Sequence, residues 1–191
     1  MTASLPVVPV GSELVGPIPA GLDPDAYDRE RRRVLWRLTT GLYLLGSRHD
    51  GRRNLMTCSL VTQLAIKPKI VGVAVEAAAV SLQLITASGW FTLSLLARGD
   101  REVVRRFAKP AVEDAEQHTL SGMEYIDGPI SGAPILARAL GYLDCRLRET
   151  LDLGSHVLLA GEVQAAGFGQ TENAEQAEVL RMEDTRMNYG G

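Results

Sequence analysis

Cysteine is almost missing from this chain of 191 residues, which has only Cys58 and Cys145. Two thiols build neither a disulfide framework nor a four-cysteine zinc site, and they suit a reducing cytosol. Aromatic residues are scarce at 5%, too few for a base-stacking platform. A basic excess is absent as well: 20 Lys and Arg against 23 Asp and Glu leave a net charge of −3. Nucleic acid is therefore not an expected partner, because phosphate binding draws on basic surplus. No apolar run approaches the roughly 20 residues of a membrane-spanning helix. Residues 1–24 also lack the basic start and apolar stretch of a signal peptide. A cytoplasmic protein without membrane association is the expectation.

Several catalytic signatures are missing too. There is no P-loop and no G-x-S-x-G elbow. Gly167-Phe168-Gly169 is followed by Glu172 where a dinucleotide fingerprint needs its third glycine. His49, His118 and His156 are scattered without metal-ligand spacing, so no metal site is expected. Cys58 lies in LMTCSLV with no basic neighbour to lower its pKa, which makes it a wall thiol rather than a nucleophile.

What is present reads as one domain behind a short arm. Five of the nine prolines fall within residues 1–24, and proline withdraws backbone donors, so this segment is an arm and 25–191 the domain. Asp23-Pro24 pairs an N-cap with a proline at the first helical position. The helix it opens carries Tyr27, Val34, Leu35 and Leu38 on one face, and an Arg29–Arg33 run balanced by Asp25, Asp28 and Glu30. From Gly41 the pattern becomes that of strands. GLYLLGS leads through Asp50-Gly51, a hairpin turn signal, into NLMTCSLVTQL. KIVGVAV (69–75) and WFTLSLL (90–96) are almost continuously apolar and read as central strands. Residues 80–87 and a segment from Asp100 to Pro110 read as short helices, and 111–135 as turns. YLDCRLRE (142–149) alternates, with Leu143, Cys145 and Leu147 inward and Asp144, Arg146 and Arg148 outward, and VLLAGEVQAAG is its antiparallel neighbour. One more short strand is expected in the C-terminal segment. Many short strands, three short helices and no βαβ alternation predict a mainly β fold, a β-barrel with helical decoration.

Residues 39–76, TTGLYLLGSRHDGRRNLMTCSLVTQLAIKPKIVGVAVE, resemble the opening of the flavin reductase-like FMN-binding split barrels. WFTLSLL, REVVRRFAKP and YLDCRLRETLDLGSHVLLAGEV continue the resemblance in order, over roughly residues 35–165. It implies a Greek-key-like antiparallel split barrel, a homodimer, and an FMN site near the subunit interface, with FAD as the other flavin. It implies NAD(P)H as co-substrate and a flavin-dependent monooxygenase as a partner for the reduced flavin. Carried over by position, Asn54, Met56, Thr57, Cys58 and Ser59 line the flavin ring and ribityl chain. Val75, Glu76 and Ser81 fall at its phosphate end, and Ser94 takes the place of a usual asparagine. His156, in Gly154-Ser155-His156, is implied to orient the nicotinamide nucleotide. Two departures accompany it: Ser155 replaces an aspartate, and Glu76-Ala77-Ala78-Ala79 stands where a basic residue often meets the phosphate. Arg52, Arg53 and Arg106 are the other candidates for that charge. The alternatives are a flavin carrier without nicotinamide turnover, and an FMN-dependent reductase of a small organic substrate.

Overall fold

In the computed structural model, which describes residue 18 and residues 21–171 and 173–185, the chain divides at Leu38/Thr39 into two compact units. Most of the proline-rich arm lies outside the described residues. The first unit holds helix α1 (Pro24–Leu35), whose Asp23 carboxylate accepts from the Ala26 amide at 2.8 Å. Asp28 pairs with Arg31 and Arg32, which gives the ion-paired face the charge pattern implies. On its apolar face Val34, Leu35 and Leu38 are all more than half exposed.

The second unit is built on a seven-stranded sheet, antiparallel throughout. β1 (Tyr43–His49) and β2 (Arg52–Cys58) form a hairpin through Asp50 and Gly51, both at positive φ, as a two-residue turn matching strand twist requires. β3 (Val61–Ala65) and β4 (Ile70–Glu76) follow, then helix α2 (Val80–Ser88) and β5 (Trp90–Leu95). The long strands β10 (Gly141–Asp152) and β11 (His156–Phe168) complete the sheet. Its order is β2-β1-β5-β10-β11-β4-β3. The two outermost strands, β2 and β3, are consecutive in the chain and separated only by Ser59 and Leu60. Such a short link forces the sheet to curl until its edges meet, which makes a barrel.

NLMTCSLVTQL is therefore two strands rather than one. The Val61 amide donates to the Ser59 carbonyl at 2.9 Å, a three-residue turn that redirects the chain across the barrel. Period two then sorts the side chains. Leu45, Val73, Phe91, Leu93, Cys145 and Leu159 fill the interior, with Ile85 of α2 among them. Leu44, Leu55 and Leu96 face the other way and pack under helix α3 (Arg101–Arg106), whose Val103 and Val104, with Phe107 just beyond, close a second core. Each large side chain fully buried here contributes about 1.5–3 kcal/mol.

Residues 111–135 are more ordered than turn residues suggest. They form β6 (Glu113–Asp114), β7 (Thr119–Leu120) and β8 (Met123–Asp127), followed by β9 (Pro134–Leu136), in one small sheet laid over the second core. Ser121 and Gly122, both at positive φ, make the β7–β8 turn. Gly46 on β1 faces this sheet, and a Cβ there would strike the Pro134 carbonyl oxygen and Thr92 Oγ1. Asp144 also departs from the alternation. A bulge between Asp144 and Cys145 breaks the register, so both are fully buried. Asp144 Oδ2 accepts from the Ile130 and Ser131 amides at 2.9 and 3.0 Å instead of meeting solvent. The C-terminal strand is reduced to isolated bridges, Gly41 with Arg181 and Ala97 with Val179, and a 3-10 turn at Met182–Asp184.

Candidate functional site

Three segments converge at one end of the barrel because of strand register. The Ala74 amide donates to the Leu60 carbonyl at 2.9 Å, which sets the β2–β3 corner beside the last residues of β4. Glu76, at the end of β4, is the direct partner of His156, the first residue of β11. The Ala77 amide donates to the Ser155 carbonyl at 3.1 Å, tying the tip of the β10–β11 hairpin to the same place. Helix α2 begins four residues after Glu76 with Ala79 as its N-cap residue and no side-chain cap, so its first-turn amides have no side chain to satisfy them.

The residues singled out from sequence divide by what their side chains do. On β2, Asn54, Met56 and Cys58 share one face, and Leu55 and Thr57 the other. Asn54 is buried, donates to Ser81 Oγ at 2.9 Å, and accepts from the Ala111 amide at 2.7 Å. Ser81, wholly buried in α2, also meets Ser47 Oγ at 3.3 Å. These three form a polar cluster that pins the start of α2 inside the barrel. Ser47 was missed as a member, although its spacing of two from the interior Leu45 puts it on that face. Met56 is half-buried against the interior core, and Cys58 is buried, its thiol pushed up to about 12 by desolvation. That thiol stays protonated at neutral pH.

Thr57 and Ser94 face the other core. Thr57 Oγ1 donates to the Val104 carbonyl at 2.9 Å and its amide to the Phe107 carbonyl at 3.0 Å. Ser94 Oγ accepts from the Leu136 amide at 3.0 Å, while Thr92 Oγ1 donates to the Pro134 carbonyl at 2.6 Å. These hydroxyls hold α3 and β9 against the barrel. Val75 is buried, whereas Ser59 is half-buried at the corner and Glu76 is exposed. His156 is half-exposed, and its Nδ1 lies 3.0 Å from Ser155 Oγ.

The charge at this end is unusual. Residues 54–66, 70–97 and 149–161 contain Glu76, Glu149 and Asp152 but not one lysine or arginine. The arginines considered from sequence are engaged elsewhere or distant in the chain. Arg53 pairs with Glu113 and Asp127 and lies over the Tyr125 ring. Arg106 donates to the Ser121 carbonyl, and Arg52 sits exposed opposite His49 in the β1–β2 hairpin. Chemically, the end offers apolar walls, a half-buried serine, uncapped helix amides and one imidazole. That suits a flat ring with a polar edge.

A family model described as a flavin reductase like domain matches residues 35–189. The NADH-dependent FAD reductase of Streptomyces globisporus is 30% identical over 163 residues, covering 81% of this chain and 84% of that one. Reductase subunit HsaB of a flavin-dependent monooxygenase from Mycobacterium tuberculosis is 27% identical over 146 residues, covering 76% of this chain and 73% of its own. Among solved structures, the NADH:FAD oxidoreductase SgcE6 of Streptomyces globisporus C-1027, in complex with NAD and FAD fragments, aligns with a TM-score of 0.71. Identity there is 26%, over 92% of this chain and 94% of that one.

Proposed function

The chain belongs to the flavin reductase like domain family, and from that premise we propose that it is a flavin oxidoreductase that uses a reduced nicotinamide nucleotide and supplies reduced flavin to a partner monooxygenase. The observation that carries this reading is the convergence of the β2–β3 corner, the end of β4, the start of α2 and His156 at one end of the barrel. We propose FMN as the flavin, bound where the β2–β3 corner, the end of β4 and the start of α2 meet. Met56 and Ser59 meet the ring directly. The buried Asn54–Ser81–Ser47 cluster and the hydroxyls of Thr57 and Ser94 fix the elements that present them.

A bound flavin supplies a ring that accepts a hydride, two electrons and one hydrogen, from nicotinamide C4 at its N5, leaving the oxidised nicotinamide. The chain's own task is to stack the two rings, exclude water and orient them, and no proton-transfer residue is required. Met56 and the apolar strand ends exclude solvent from the ring face. The Ser59 hydroxyl and adjacent backbone bond its polar edge. A flavin phosphate would be held by the uncapped amides of α2, with the helix dipole aiding them. His156, whose Nδ1 lies 3.0 Å from Ser155 Oγ, keeps its Nε2 for the nucleotide.

The same end exposes Leu60, Leu151 and Leu153, each 46–56% accessible in the single chain. A second copy laid there would cover apolar surface and close the site, which supports a homodimer with the flavin near its interface. Oxidation of a reduced nicotinamide by purified protein with and without added FMN tests the activity. Flavin-dependent turnover supports it, and binding of flavin without turnover favours the carrier reading.

A further inference from the structure

We infer that Glu76 makes this site select the nicotinamide dinucleotide that lacks a 2′-phosphate, an inference that rests on the proposed reading of the His156 end as the nucleotide site. Glu76 and His156 are directly opposite on β4 and β11, a relation that puts their Cβ atoms about 4.5–5.5 Å apart. Any nucleotide that takes a hydrogen bond from His156 therefore lies beside the Glu76 carboxylate. Glu76 is exposed at the strand end, and among the described residues no ion pair neutralises it.

Among the described residues, the elements packed around this place add either nothing or more negative charge. The hairpin tip on β10 and β11 brings Asp152, whose Oδ1 accepts from the Gly154 amide at 2.8 Å, and Glu149 further along β10. The β4–α2 link is Ala77-Ala78-Ala79, and α2 itself, VSLQLITAS, carries no charge. The β2–β3 corner is Ser59-Leu60. The next cations along β10 are Arg148, already paired with Glu162, and Arg146. At about 3.3 Å per residue, Arg148 lies some 13 Å from the Asp152 row, beyond the screening length of about 8 Å.

Charge then decides the substrate. The pyrophosphate is shared by both nucleotides, so it does not discriminate between them. A 2′-phosphate adds close to two more negative charges. Among the described residues the segments that meet at this end carry no lysine or arginine to receive them, and Glu76 and Asp152 are there to repel them. The discrimination is electrostatic, so it is expressed as weaker binding of the phosphorylated nucleotide and relaxes with salt.

The experiment compares kcat/KM for NADH and NADPH at saturating FMN in the wild type, Glu76→Gln and Glu76→Lys, each at low and high salt. The wild type is expected to favour NADH by roughly tenfold or more. Glu76→Gln lowers that ratio by roughly three- to tenfold, mostly through KM for NADPH, and Glu76→Lys lowers it further. Added salt narrows the wild-type preference and affects Glu76→Gln less. Asp152→Asn, on an exposed turn, gives a second and smaller shift in the same direction should either Glu76 variant fail to fold. A ratio unchanged within twofold in the folded variants, with NADH still oxidised, overturns the assignment to Glu76, as does a wild type that prefers NADPH. Oxidation of neither nucleotide with flavin present overturns the reductase reading itself, and the inference with it.

Discussion

Replacing Thr57 by valine separates a hydroxyl that holds the frame from one that holds the flavin. The change keeps shape and removes one bond, Oγ1 to the Val104 carbonyl at 2.9 Å, at a position 8% exposed. A net hydrogen bond contributes about 0.5–1.5 kcal/mol, and leaving a buried carbonyl unpaired raises the cost to about 1–3 kcal/mol. The Thr57 amide still donates to the Phe107 carbonyl, so α3 stays tethered and a loss of about 1–2 kcal/mol is expected. For a chain of this size that lowers Tm by about 2–8 °C. Thermal denaturation reads the first quantity and a fluorescence titration of FMN the second. Valine at 57 should lower Tm and weaken FMN less than twofold, while Ser59→Ala should weaken FMN several-fold and leave Tm nearly unchanged. A Thr57→Val protein with wild-type Tm and FMN affinity reduced tenfold would refute the division of labour between the two faces of β2.

His156→Ala should raise KM for the reduced nicotinamide or lower its kcat/KM while FMN affinity holds, and loss of both together with Tm would mark a structural turn residue instead. Gly46→Ala should cost at least about 1–3 kcal/mol through overpacking against Pro134 and Thr92, read as a fall in urea midpoint. Burial pushes the thiols of Cys58 and Cys145 up to about 12, with Asp144 adding to the effect at Cys145. An unfolded thiol ionises near 8.5, so the stability they confer is fully present below that pH and lost as pH rises toward 12, about 2 kcal/mol per thiol by pH 10. Tm measured against pH should fall above about pH 8.5, and less steeply in the Cys58→Ala/Cys145→Ala protein. Light scattering should return twice the 20.7 kDa chain mass, and a monomer across micromolar concentrations would exclude the dimer.

Much of this architecture is legible in the chain because local chemistry and tertiary fold agree there. Asp50-Gly51 demands a hairpin, the apolar runs at 70–76 and 90–95 demand burial on both faces, and Asp23-Pro24 starts a helix. The break at Ser59-Leu60 is not legible, since neither proline nor glycine marks it and the corner exists only because β3 must reach the far edge of the sheet. The small sheet at 113–136 hides behind turn residues because its strands are two to five residues long. Asp144 misleads for a related reason: alternation assigns it outward, and a bulge, which the sequence does not announce, turns it in. Of the site, the residue types at 54, 57, 81 and 94 are visible as polar positions on apolar elements. Their partners are not, because the Val104 carbonyl, the Leu136 amide and the Ser47 hydroxyl arrive from distant segments. The pairing of Glu76 with His156 is of the same kind, a product of register between strands eighty residues apart.

Anaerobic mixing of the purified protein and FMN with NADH, following the visible absorbance of the flavin, tests hydride transfer at this site directly. Rapid bleaching that depends on the protein is expected, with one nicotinamide oxidised for each flavin reduced, and slower bleaching in His156→Ala. Bleaching no faster than in protein-free FMN would contradict that expectation.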